Sequence, residues 1–137
     1  MNGSILLAGT TVCFVLAYFI YVRYLSRLFG IDGNRKTPAH TLTDGVDYVP
    51  TRAPVLFGHH FASIAGAGPI VGPIAAAYFG WGAVVLWVII GGIFIGAMHD
   101  FAALFLSARN EGRSIGHIVE RHVGYAGRQI FLLFCWA

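Results

Sequence analysis

Charge is scarce in this 137-residue chain, in which Asp, Glu, Lys and Arg together make up 11%, against about 25% in ordinary globular chains. So few ionised side chains cannot clothe a water-facing surface, which excludes an ordinary soluble domain. The hydrophobic content of 57% equally excludes disorder, which needs low hydrophobicity and high charge. Lys and Arg are missing altogether from Ala53 to Ala108, so the formal net charge of +3 marks two separate stretches and not a basic nucleic-acid-binding face. Cysteine is nearly absent. Cys13 and Cys135 both sit in apolar runs, where they act as small hydrophobes, and they define no disulfide framework. No Gly-rich phosphate loop, nucleophile elbow or aspartate dyad occurs, so neither an enzyme nor a bound cofactor is expected. What the sequence has in abundance is apolar runs, and the bilayer is the expected solvent.

The first run, Ile5 to Val22, carries no charge and as a helix reaches about 27 Å, enough to cross a hydrocarbon core of about 30 Å. Tyr18, Tyr21 and Tyr24 with Arg23 and Arg27 make an aromatic and basic anchor at its far end. A polar connector follows at 25–53, whose Gly, Pro and Asp content predicts turns. The second run, 55–80, is interrupted at 66–73 by three Gly and two Pro. Each Pro lacks an N–H and clashes with the carbonyl four residues back, so two half-helices with an unwound joint over 66–73 are predicted, with the break near the bilayer midplane. The third run, 81–106, contains Gly92 and Gly96, a small-xxx-small spacing that lets another helix approach closely. In the polar stretch 109–129, Ser114 is placed to cap a short helix with Ile115, Ile118, Val119 and Val123 on one side and Gly124 as its stop, a helix suited to lie on the membrane surface. A last apolar run starts at Ile130 and is too short to span, so the chain reads as a fragment or its last helix as incomplete.

Charge counting sets the orientation. Residues Arg23 to Arg52 after the first run and Arg109 to Arg128 after the third hold all of the Lys and Arg, and the link between the second and third holds none. The positive-inside rule then puts both basic connectors in the cytoplasm and the N-terminus outside.

Chemistry is expected first at the interrupted helix. A break at membrane depth exposes unpaired carbonyls and half-helix N-termini, which receive cations and carboxylates respectively. Ala65, Gly66, Ala67, Gly68, Pro69, Gly72 and Pro73 are therefore the candidate substrate-binding residues. The competing reading is a Pro-kinked helix whose glycines only allow tight packing. The second candidate is His99-Asp100, an ionisable pair between apolar runs, where an Asp alone costs about 2.5–3.5 kcal/mol on insertion scales. It reads either as a proton-coupling pair or as a structural one. His59 and His60, before the break, complete the candidate ion- or proton-coupling set. The histidines at 59, 60, 99, 117 and 122 match no compact ligand spacing, so no metal is expected.

The run Asp44-Gly45-Val46-Asp47-Tyr48-Val49-Pro50-Thr51, followed by Val55 to Pro73 with its Gly-His-His-Phe and Gly-Ala-Gly-Pro-Ile-Val-Gly-Pro segments, resembles the carbon starvation protein A family. Thr37 to His40 upstream, and Asp100-Phe101, Ser107, Arg109 and Gly112 downstream, fit the same pattern. The resemblance implies an all-α integral membrane protein, the N-terminal part of an inverted-repeat (APC/LeuT-like) transporter with a discontinuous helix. It also implies a multi-pass protein of the bacterial or archaeal inner membrane that takes up small peptides, or pyruvate in some members, during carbon starvation. Its partners are then the substrate, the lipid bilayer and the remaining helices of the transporter, with no nucleic acid. The alternative is a short membrane subunit docking through Gly92 and Gly96 on a larger partner.

Overall fold

The computed structural model describes residues 2–137, and the described residues form helices and turns with no strand. They divide into two compact units, residues up to Ile31 with Thr51–Met98, and Asp32–Pro50 with His99–Ala137. Each is taken by itself below.

In the first unit, α1 (Gly3–Leu28) begins at Asn2, whose side-chain oxygen accepts the Ser4 N–H at 3.1 Å. An apolar helix in lipid must satisfy its few polar groups internally. Thr10 and Thr11 do so by donating their hydroxyls to the carbonyls of Leu6 and Leu7, both at 2.8 Å. The helix stops at Gly30, whose φ of +60° is cheap only without a Cβ. Gly30 N–H donates to Arg27 O and Ile31 N–H to Ser26 O, the paired bonds of a Schellman stop.

Helices α3 (Ala53–Ile64) and α4 (Ala67–Ala76) are bent by 49° across a short break, and α4 closes in a 3₁₀ turn, Ala77–Phe79. A single residue, Gly80 at φ +112°, then turns the chain into α5 (Trp81–Arg109). Helices α1 and α5, of 26 and 29 residues, are each long and apolar enough to cross a membrane, and the bent pair makes up to a third crossing.

Within α5, residues Trp87–Gly96 widen into a π-helix, in which the Ala97 N–H returns to the Gly92 carbonyl. The stretch joins β-branched Val88, Ile89, Ile90, Ile93 and Ile95 to three glycines, the residues that hold α geometry least firmly. The Trp87 ring lies over Gly91, 3.2 Å from where a Cβ would stand. This stretch contacts α1. A Cβ on Gly92 would come within 3.3 Å of the Phe14 ring, and Tyr21 meets Phe94 edge to face at 5.3 Å. Gly96 is not part of that seam, since its nearest neighbour is the carbonyl of Gly91 at 3.6 Å.

In the second unit, the connector carries one helical turn, α2 (Pro38–Thr41), and several side-chain-closed turns. Helices α6 (Ile115–Val123) and α7 (Tyr125–Trp136) pack on each other. Gly116 admits Leu132 at 3.5 Å, Gly127 lies under Val123, and Arg128 donates to Glu120 at 2.9 Å. One expectation changes here. Ser114 stands at the N-cap of α6 but makes no side-chain cap bond. On the apolar side of α6, Ile118 is buried and Val123 is exposed.

Candidate functional site

The joint between α3 and α4 is narrower than the Gly and Pro content predicts. Only Ala65 and Gly66 leave the helix, and Ala67 to Pro73 are helical. The reason lies in position. Pro69 falls in the first turn of α4, where a backbone N–H has no intrahelical acceptor to lose, so it starts a helix as readily as it ends one. Pro73 is inside α4 and supplies no N–H for the Pro69 carbonyl.

Ala65, at φ −73° and ψ 52°, closes an inverse γ-turn in which the Gly66 N–H donates to the Ile64 carbonyl at 2.7 Å. The Ala65 N–H donates to Phe61 O at 2.9 Å. Gly66 then runs extended into α4 with no side chain to cap it. The first N–H groups of α4, on Ala67 and Gly68, lie at the positive end of the helix dipole, and the carbonyl end of α3 stands on the other side of the joint. Gly66 has φ −82°, which any residue adopts. Conformation therefore does not call for glycine here. A Cβ at Gly66, Gly68 or Gly72 would meet nothing within 4 Å, so within this chain the backbone at the joint is uncovered.

Of the expected coupling residues, the structure brings His99 and Asp100 together, Nδ1 to Oδ1, at 3.1 Å, with the His99 side chain 79% exposed and that of Asp100 34%. His59 and His60 lie adjacent on α3, in the other unit, with the His59 carbonyl accepting the Ser63 hydroxyl at 2.9 Å. Phe57 and Phe61 stack along the same helix at 6.4 Å. No group of three or more His, Cys, Asp or Glu among the described residues is placed to hold a metal.

Sequence reasoning missed the best-tied polar structure in the chain. One oxygen of Asp44 accepts the N–H groups of Tyr48 at 2.8 Å and of Val46 and Asp47 at 2.9 Å. Those bonds, with the Tyr48 N–H first and then that of Val46, hold the Asp44 carboxyl below the usual aspartate range against a slight opposing effect of desolvation. The turn so fixed presents Tyr48, whose hydroxyl donates to the Glu111 carbonyl at 2.8 Å. Tyr48 is thus a tertiary tie. The Asp-Gly pair at 44–45 was the available turn signal; its distant partner had none.

An all-helical chain with two membrane-length apolar helices and a third, bent pair defines a helical integral membrane protein. The profile of the family "Carbon starvation protein CstA" matches residues 2–137, and the chain belongs to that family. It is similar to the peptide transporter CstA of Campylobacter jejuni, 46% identical over 124 residues, covering 89% of this chain and 18% of that protein. It is also similar to the peptide transporter CstA of Escherichia coli K12, 41% identical over 137 residues (99% and 20%). A third relative is the pyruvate/proton symporter BtsT of the same organism, 42% identical over 133 residues (96% and 18%). The chain spans about a fifth of the length of these curated relatives. No solved structure matches it.

Proposed function

We propose that this chain is part of an inner-membrane secondary transporter that takes up small peptides or pyruvate, with the substrate held at the joint between α3 and α4. The observation that carries the reading is the bent pair itself, with an uncovered Gly backbone at the break, in a chain whose relatives are named as peptide transporters and a pyruvate/proton symporter. The amide end of α4, at Ala67 and Gly68, suits a carboxylate, which both substrate classes carry. The carbonyl of Pro69, freed by Pro73, and the carbonyls at the end of α3 suit a cation or an ammonium group. Ala65, Gly66, Gly72 and Pro73 complete that wall. The remaining helices of an inverted-repeat bundle cover the joint and the apolar surface left exposed on α1, α3 and α4. The N-terminus lies outside and the basic connectors lie in the cytoplasm.

Coupling is assigned to His99 and Asp100, with His59 and His60 as gating groups beside the substrate. In the intact transporter Asp100→Asn abolishes accumulation against a gradient and spares exchange; accumulation by that variant at the wild-type level would remove the coupling role. Gly68→Leu, whose side chain fills the space over the joint, weakens substrate binding by about tenfold or more, or about 1.4 kcal/mol. Unchanged affinity in a titration of the purified transporter would place the substrate elsewhere.

A further inference from the structure

A cleft of about 360 Å³ opens in the second unit, and its walls bring Arg35 and Lys36 from the connector together with Arg109 and Glu111 from the end of α5. Pro38 and Leu42 supply apolar lining. The cleft is assembled by tertiary structure, since the Tyr48 hydroxyl bonds the backbone of Glu111 itself.

Glu111 breaks two local rules at once. It is the one non-glycine residue with positive φ, +58°, among the described residues, and it holds the position just past a helix end that glycine normally takes. It also puts a carboxylate at the negative end of the α5 dipole, where a cation is favoured. Its carboxylate lies 3.9 Å from the Arg113 guanidinium with the side chain 64% exposed, so it stays open to a further cation. Depth narrows the purpose. Helix α5 has 29 residues, on the order of 40 Å, which reaches from one headgroup layer to the other, and Arg109 is its last residue. With α5 across the bilayer, the cleft stands at headgroup level.

We propose that this cleft binds a phospholipid headgroup that carries both a phosphate and an amine. The phosphate lies among the guanidinium groups of Arg35 and Arg109 and the ammonium of Lys36, and the headgroup ammonium meets Glu111. The three cations exceed the single carboxylate, so the phosphate supplies the affinity and Glu111 the choice of headgroup. The proposal stands apart from the transport reading and does not use the α3–α4 joint.

The test is native mass spectrometry of the purified, intact transporter in detergent, titrated in turn with phosphatidylethanolamine, phosphatidylglycerol and phosphatidylcholine. Wild-type protein retains phosphatidylethanolamine most strongly. The double variant Arg35→Gln, Lys36→Gln loses about tenfold in affinity for it, whereas Arg121→Gln, which removes a cation outside the cleft, leaves it unchanged. Glu111→Gln erases the preference for phosphatidylethanolamine over phosphatidylglycerol, and the charge-conserving Arg35→Lys keeps most of the binding. Equal losses in the Arg35/Lys36 and Arg121 variants would overturn the site. Release of the lipid by millimolar inorganic phosphate would assign the cleft to a soluble anion and overturn the lipid reading.

Discussion

Glycine does opposite work in two parts of the first unit. In the π-helical part of α5, Gly91 makes room for the Trp87 ring of its own helix, and the missing side chain of Gly92 makes room for Phe14 of α1. At the α3–α4 joint, Gly66, Gly68 and Gly72 have no neighbour that a Cβ would meet. One set is spent on contacts within this chain, and the other leaves backbone open to something outside it. The contrast shows that glycine content alone does not tell a packing seam from a site. What distinguishes them is whether the vacated space is already filled.

The comparison breaks most readily at the seam. Gly92→Leu drives a branched side chain into the Phe14 ring and costs about 1–3 kcal/mol by overpacking, read as a lower midpoint of SDS-induced unfolding in mixed micelles. A neutral result would mean that α1 and α5 do not pack through Gly92. A smaller effect of opposite sign is expected at the joint. Gly68→Ala meets nothing, gains helix propensity, and stabilises by about 0.5–1 kcal/mol in the same assay. Destabilisation there would show that the covering helices press on Gly68 and leave no room over it for a substrate.

The smallest effect concerns the connector. Because the Asp44 pKa is held below the usual value of about 3.9, its contribution to the 44–48 turn is complete above that value and is lost as the pH falls through the lowered pKa. The Tyr48 amide resonance should therefore titrate with a midpoint below about 3.9. In Asp44→Asn it should stay flat, and a midpoint at or above the ordinary value would contradict the three-bond turn.

The helical membrane class and the family were both legible in the sequence, the first in the scarcity of charge and the length of the apolar runs, the second in the segments around Asp44 and Gly66. The extent of the joint was not. Pro69 reads as a helix breaker until its place in a first turn is known, and that place depends on where α3 stops. The π-helical stretch was equally hidden, because Val, Ile and Gly in an apolar run give no periodicity from which an extra residue per turn can be read. Nor did the pairing of Tyr48 with Glu111 leave any local mark, since 63 positions separate them.

That pairing also bears on how the chain is threaded. A hydrogen bond of 2.8 Å cannot reach through a hydrocarbon layer of about 30 Å, so Tyr48 and Glu111 stand on one side of the bilayer. Between two points on the same side, a chain must traverse the membrane an even number of times. Helix α5 is long and apolar enough for one passage. A crossing by α5 therefore requires the α3–α4 pair to cross as well, as a span broken partway, since a hairpin returning to the face it left would make the count odd.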